Sequence, residues 1–246
     1  MAKAPPAEQL RLLELQALDS RLNQLRRQAA TARANPAIAE LGSQLDGTDS
    51  ALVHTQTALL DLERELTRSE DDVQSVVSRL ERDQKRLDSG TGSPKDLTAL
   101  QSEVVSLTKR RSDLEDVELD IMERVETARE ANQAAQQLKE DAQERLSAIE
   151  ASRDAELATI DTEAGTVQAQ RGELAATFDA GLLALYEKTL ARRGVGAARL
   201  FHGTSEGSGM QMSPGDLADL RKAAEDDIVF CPDSGAILVR SAEWGN

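Results

Sequence analysis

Aromatic residues are almost missing from this chain. Of 246 positions five are aromatic, and Phe178, Tyr186, Phe201, Phe230 and Trp244 all lie late. Everything before residue 178 must pack with Leu, Ile, Val and Ala, as coiled coils do and globular cores rarely do. Cysteine is scarcer still: a single Cys231 excludes an internal disulfide and suits a reducing compartment. Positive charge is in deficit, the formal net charge being −15. Phosphate backbones repel such a chain, so nucleic-acid binding starts at a disadvantage. No apolar run approaches the length of a membrane span, and Met1–Pro6 leads into amphipathic sequence without a signal-peptide core. A cytoplasmic protein without a membrane partner is the expectation.

What the chain has in abundance is helical periodicity. From Ile38 to Leu87 a 3-4 rhythm runs through Leu41, Leu45, Thr48, Leu52, Thr55, Leu59, Leu62, Leu66, Ser69, Val73, Val76, Leu80 and Asp83. Seven successive heptads in register predict a coiled coil. An earlier stretch, Leu15, Leu18, Leu22, Leu25 and Ala29, repeats it, and Asn35-Pro36 interrupts, since proline removes a helical hydrogen bond. A bend is expected near Pro36.

Ser89-Gly90-Thr91-Gly92 supplies a helix stop, and Ser93-Pro94-Lys95-Asp96 restarts a helix with serine as N-cap and proline in its first turn. The second helix carries Leu97, Leu100, Val104, Leu107, Leu114, Val117, Ile121 and Val125, then Leu138, Leu146, Ile149, Ile160 and Val167, with an expected slip at Arg111–Leu114. Folding about Gly92 places residue n near residue 184 − n and sets apolar against apolar, so an antiparallel hairpin of ~80 residues per helix, ~120 Å long, follows. Its tip gathers Arg82, Lys85, Arg86, Lys95, Arg110 and Arg111. Those charges make a docking end for an acidic partner, and equally suit a solvated coiled-coil face.

The C-terminal part changes character: eight of fifteen glycines fall at or after Gly194. A helix over 180–193 carries Leu182, Leu183, Leu185, Tyr186 and Leu190, and Gly194-Val195-Gly196 reads as its stop and a hinge. Short strands are predicted at Ala197–Phe201, Met210–Met212, Ile228–Phe230 and Ala236–Val239, with a capped helix after Ser213-Pro214-Gly215-Asp216. Phe230-Cys231-Pro232-Asp233-Ser234-Gly235 has the form of a zinc-ribbon knuckle, with serine where its second ligand belongs. Thr204-Ser205-Glu206-Gly207-Ser208-Gly209 stands where the first knuckle belongs. A structural zinc site needs four thiolate or imidazole donors, and a serine hydroxyl is a hard, protonated substitute. The expected core of the tail includes Phe230. Cys231 with His202 lacks the companions of a thiol nucleophile, and no enzyme is expected.

Several segments carry a family resemblance: the run from Ser93 to Glu103, Leu114–Leu119, Gly194–Leu200 and Leu238-Val239-Arg240. The chain resembles the bacterial coiled-coil plus tetra-cysteine zinc-ribbon proteins, among them a flagella-associated member and actinobacterial relatives. The resemblance maps the ligand positions onto Ser205, Ser208, Cys231 and Ser234. It implies a non-enzymatic adaptor, some relatives being associated with a sigma factor, secretion components or RNA.

The expectation is thus a mainly α chain: a hairpin over residues 1–177 with its tip at 89–95, a connecting helix over 178–193, and a degenerate ribbon-like α+β head over 194–246. No metal or other cofactor is expected. Protein partners would be held by the tip and by the head, where Arg199 and Arg240 are further contact candidates. The alternative is a nucleic-acid-binding ribbon. The chain is read as a monomer or weak dimer.

Overall fold

The computed structural model describes residues 3–241 together with 243 and 244. Helix α1 (Pro6–Arg33) closes at Ala34, and α2 (Pro36–Asp88) restarts on Pro36, so the helix breaks where the proline predicts it. Next come α3 (Pro94–Ala175), α4 (Ala180–Arg193), β1 (Ala197–Phe201), β2 (Thr204–Ser205), β3 (Met210–Gln211), α5 (Pro214–Lys222), β4 (Val229–Phe230) and β5 (Ile237–Arg240). Two compact units result, one of residues 36–151 and one of residues 3–35 with the described part of 152–246.

The 36–151 unit is a two-helix antiparallel coiled coil. Every residue of the 3-4 series from Ile38 to Leu87 is half-buried, apart from Ser69, which is buried. Cross-helix pairs run antiparallel: Arg79 with Glu103, Arg124 with Glu65 at 3.2 Å, Arg129 with Glu63 at 3.1 Å, and Lys139 with Asp49 at 2.6 Å. The expected partner of Asp49 is Ala135, so the true register there lies one helical turn further along α3. Facing residues need only matching polarity, and Thr55 meets Asn132 at 3.2 Å.

The expected slip at Arg111–Leu114 does not occur. The inward series of α3 continues through Leu107, Leu114, Glu118, Ile121 and Val125, and Val117 is left 51% exposed. The seven-residue spacing Leu107–Leu114–Ile121 keeps the heptad intact, with exposed Arg111 and half-buried Glu118 at the positions between, and an apolar-only reading mistakes those charged residues for a slip. Leu138, counted on the stripe, is likewise exposed, while its neighbour Lys139 turns toward Asp49.

The other unit layers helices on a sheet. The strand order is β3-β2-β1-β5-β4, with β1 and β5 parallel and the remaining pairs antiparallel. Alternation along β5 serves both faces. Ile237 and Val239 pack with Leu12 and Leu15 of α1 and with Leu182 and Tyr186 of α4. Leu238 packs with Leu200, Met212, Leu220 and Cys231. Along α1 and the end of α3, Leu22, Leu25 and Ala29 meet Ile160 and Val167.

A buried polar junction binds these layers. Asp19 on α1 accepts from Arg171 on α3 at 2.8 Å and from the Tyr186 hydroxyl on α4 at 2.8 Å. Gln16 accepts from the Gly196 amide at 2.7 Å and the Ala197 amide at 3.2 Å. Burial first, and the Asp19 hydrogen bond second, push the Tyr186 phenol above its ordinary range. Hydrogen bonding to Asp19 raises Arg171 in turn, against the cost of burial. The junction corrects the expected hinge. Gly194 is a left-handed helix cap, whereas a side chain at Gly196 would strike the Tyr186 ring at 2.4 Å. Gly196 is there for close packing, and its amide is tied to α1.

Candidate functional site

The head is built around two turns of equal design. In the first, the Gly209 amide donates to the Ser205 carbonyl at 2.8 Å; in the second, the Gly235 amide donates to the Cys231 carbonyl at 2.8 Å. Each turn ends on a left-handed glycine, Gly209 at φ 69° and Gly235 at φ 71°, a conformation that favours residues without Cβ. Each also uses its last serine in one way. Ser208 Oγ accepts from the Met210 amide at 3.3 Å, and Ser234 Oγ accepts from the Ala236 amide at 3.3 Å.

The turns converge. Cys231 Sγ lies 3.9 Å from Ser208 Oγ and accepts from the Ser234 amide at 3.4 Å. A Cβ at Gly207 would meet Ala198 at 2.7 Å and Ser234 Oγ at 3.4 Å, so only glycine allows this approach. Ser205 is fully buried, and its hydroxyl has no ordinary hydrogen-bond partner among the described residues. It neighbours Cys231 closely enough to act on the thiol. Burial pushes the Cys231 thiol up, but the Ser205 and Ser234 hydroxyls and the amides of Ser234 and Asp233 favour the thiolate more and bring it to about 7.

The four positions Ser205, Ser208, Cys231 and Ser234 are therefore brought together. As a donor set they do not fit zinc. One sulfur stands with three hydroxyls, two of which already accept from backbone amides, and hydroxyls are poor donors for this ion. Among the described residues, no three His, Cys, Asp or Glu side chains cluster to make up the deficit.

Beside the turns, α5 and β4 enclose a groove of about 670 Å³ floored by Met212, Leu220, Ile228 and Val229. Phe230 stands on its wall, 45% exposed, against the expectation that it is core. Val229 and Phe230 alternate across an outer strand, so one face inward and the other outward. Asp216, Asp219 and Asp227 line the rim with Lys222.

The basic candidates separate into groups. Arg82, Lys85, Arg86, Lys95, Arg110 and Arg111 are exposed in the 36–151 unit. Lys85, Arg86 and Lys95 flank the turn, whereas Arg110 and Arg111 lie about 24 Å farther along α3 at 1.5 Å per residue. Arg111 pairs with Glu115 at 2.7 Å, and Arg82 donates to the Ser78 carbonyl at 3.1 Å. In the head, Arg199 pairs with Glu206 and lies over the Phe201 ring at 4.7 Å. Arg240 donates to the carbonyls of Ala223, Ala224, Glu225 and Asp227, which makes it an internal clamp on the α5–β4 loop. Sequence reasoning passes over Gln16, Asp19 and Arg171 and reads Tyr186 only as part of the apolar series of its helix; the one signal is polar residues recurring within an apolar helical series.

Comparison with known proteins agrees with this architecture. Residues 15–194 match the CT398-like coiled coil hairpin domain, and residues 204–238 match the C4-type zinc ribbon domain. The chain is 33% identical to the protein Rv2229c of Mycobacterium tuberculosis, covering 97% of each, and 26% identical to ML1638 of Mycobacterium leprae, covering 89% of this chain and 95% of that one. A solved structure from Mycobacterium smegmatis shares 29% identity with a TM-score of 0.79, over 97% of this chain and 100% of the other. CT398 from Chlamydia trachomatis shares the fold at 19% identity and a TM-score of 0.59, over 94% and 97%.

Proposed function

Since the chain belongs to the CT398-like coiled-coil hairpin family, we propose that it is a non-enzymatic adaptor that holds protein partners at its head and at its hairpin tip. The observation that carries this reading is the apolar groove between α5 and β4, with a half-exposed Phe230 on its wall. Exposed aromatic anchors beside a concave apolar floor are the usual centres of binding energy between proteins. The rim carboxylates Asp216, Asp219 and Asp227 suit a partner segment that brings apolar side chains flanked by lysine or arginine. At the tip, Lys85, Arg86 and Lys95 are exposed and would take an acidic surface.

The test is photo-crosslinking from position 230 in cells, identification of the captured protein by mass, and titration of that purified protein against native and Phe230→Ser chains. The expected result is one protein, bound about tenfold or more weakly by the variant. Equal affinity removes the groove from the function. Capture of RNA or DNA instead, with binding that falls steeply with salt, replaces the adaptor with a nucleic-acid-binding ribbon.

A further inference from the structure

We infer that this head is a ribbon whose metal has been replaced by hydrogen bonds while its four-position cradle is intact, so that Ser205→Cys, Ser208→Cys and Ser234→Cys together suffice to make it a zinc site. The inference rests on the two turns and does not depend on the adaptor reading.

Equivalence is the first ground. Both turns close with the same 2.8 Å amide-to-carbonyl bond, four residues apart, and both end on a glycine near φ 70°. A cradle in decay has no reason to keep its halves alike. The second ground is what the serines do. At the second position of each turn the hydroxyl accepts the amide two residues on, at 3.3 Å in both cases. An acceptor of that amide is what a thiolate would be there, so the hydroxyls preserve the backbone course without a metal. Third, Ser205 is 0% exposed, and its hydroxyl has no ordinary hydrogen-bond partner among the described residues. A buried hydroxyl without a partner is costly, and it marks a donor position that nothing now completes.

Metal loss is tolerated because other layers hold the sheet. Ile237 and Val239 are sealed by Leu12, Leu15 and Tyr186 on one face, and Leu238 by Leu200, Met212 and Leu220 on the other. The Arg240 clamp fixes the loop that leads into the second turn. In consequence the head's fold is indifferent to chelators and to thiol oxidants that would open a four-cysteine ribbon.

The experiment compares the native full-length chain with the triple cysteine variant, both produced in zinc-supplemented medium under reducing conditions. Metal content, cobalt(II) absorption and thermal unfolding with and without EDTA are measured. Native protein should carry far less than one zinc per chain, show no cobalt–thiolate absorption and unfold at one temperature in either buffer. The triple variant should carry one zinc per chain, give the absorption of tetrahedral cobalt–thiolate, and unfold at a lower temperature once EDTA is added. A variant that folds only when zinc is present supports the inference equally. Stoichiometric zinc in the native chain overturns it, and so does a variant that binds no metal or that fails to fold with zinc supplied. Cys231→Ser serves as the control on the metal-free state: its head should remain folded, and a head that unfolds overturns the claim that no metal-like donor is needed.

Discussion

The two units solve one problem at different depths. In the 36–151 coil an apolar stripe meets one partner helix. The α2 side stays half-buried apart from Ser69, and on the α3 side Leu107, Leu114, Ile121 and Val125 are buried while Leu97, Leu100 and Val104 are half-buried. In the other unit the same kind of stripe on α1 meets α3, α4 and a sheet, and Leu12 and Leu15 reach complete burial. Side-chain chemistry is alike in both. What differs is the number of neighbouring layers, and burial rather than hydrophobicity sets the energy a leucine contributes.

That contrast can be broken by experiment. Leu15→Ala should destabilise the sheet-containing unit by about 2–5 kcal/mol, whereas Leu62→Ala in the coil should cost about 1–2 kcal/mol. Hydrogen exchange after each substitution would locate the loss, and equal costs would abolish the distinction. Next in size is the buried junction. Asp19→Ala removes the shortest acceptor of Arg171 and of the Tyr186 hydroxyl, leaving them Glu187 and Gln16 at 3.3 Å, and should cost about 3 kcal/mol by denaturant titration. A loss under 1 kcal/mol, typical of an exposed pair, would reclassify the junction as surface.

The head carries a pH dependence of its own. The Cys231 thiol is held at about 7, below its unfolded value near 9. A depressed group stabilises the fold above its unfolded pKa, and that contribution disappears as pH falls through the folded one. Unfolding free energy should therefore rise between pH 7 and 9 by something on the order of 2 kcal/mol, and Cys231→Ser should flatten the slope. A slope unchanged by the substitution assigns it elsewhere. The smallest effect belongs to the polar pair in the coil. Replacing Thr55 and Asn132 together by Val and Leu should change its melting temperature little or raise it, because removing both partners leaves no orphan.

Local signals made much of this structure legible. The break at Pro36, the Ser93 and Ser213 caps, the short strands and both turns were readable because each rests on a few adjacent residues. Ser93 Oγ accepts from the Asp96 amide at 3.2 Å, and Ser213 Oγ from the Asp216 amide at 3.1 Å, as their spacing requires. Glu118 and Lys139 escaped the same reading, since inward polar residues look like gaps in a stripe. Asp19 escaped for a further reason: its partners lie more than 150 positions away in sequence.

Sequence alone thus determined that helices pair along one apolar seam and that the terminal module carries two knuckles poor in sulfur. Periodicity and turn chemistry are properties of neighbours along the chain. Tertiary structure alone decided that α1 underlies the sheet, that Gly196 is locked against Tyr186, that Phe230 faces outward beside a groove, and that the hydroxyls of Ser208 and Ser234 accept backbone amides. The first three of those outcomes depend on which distant surfaces come into contact, and contact between surfaces far apart in the chain leaves no mark on the order of residues within either one.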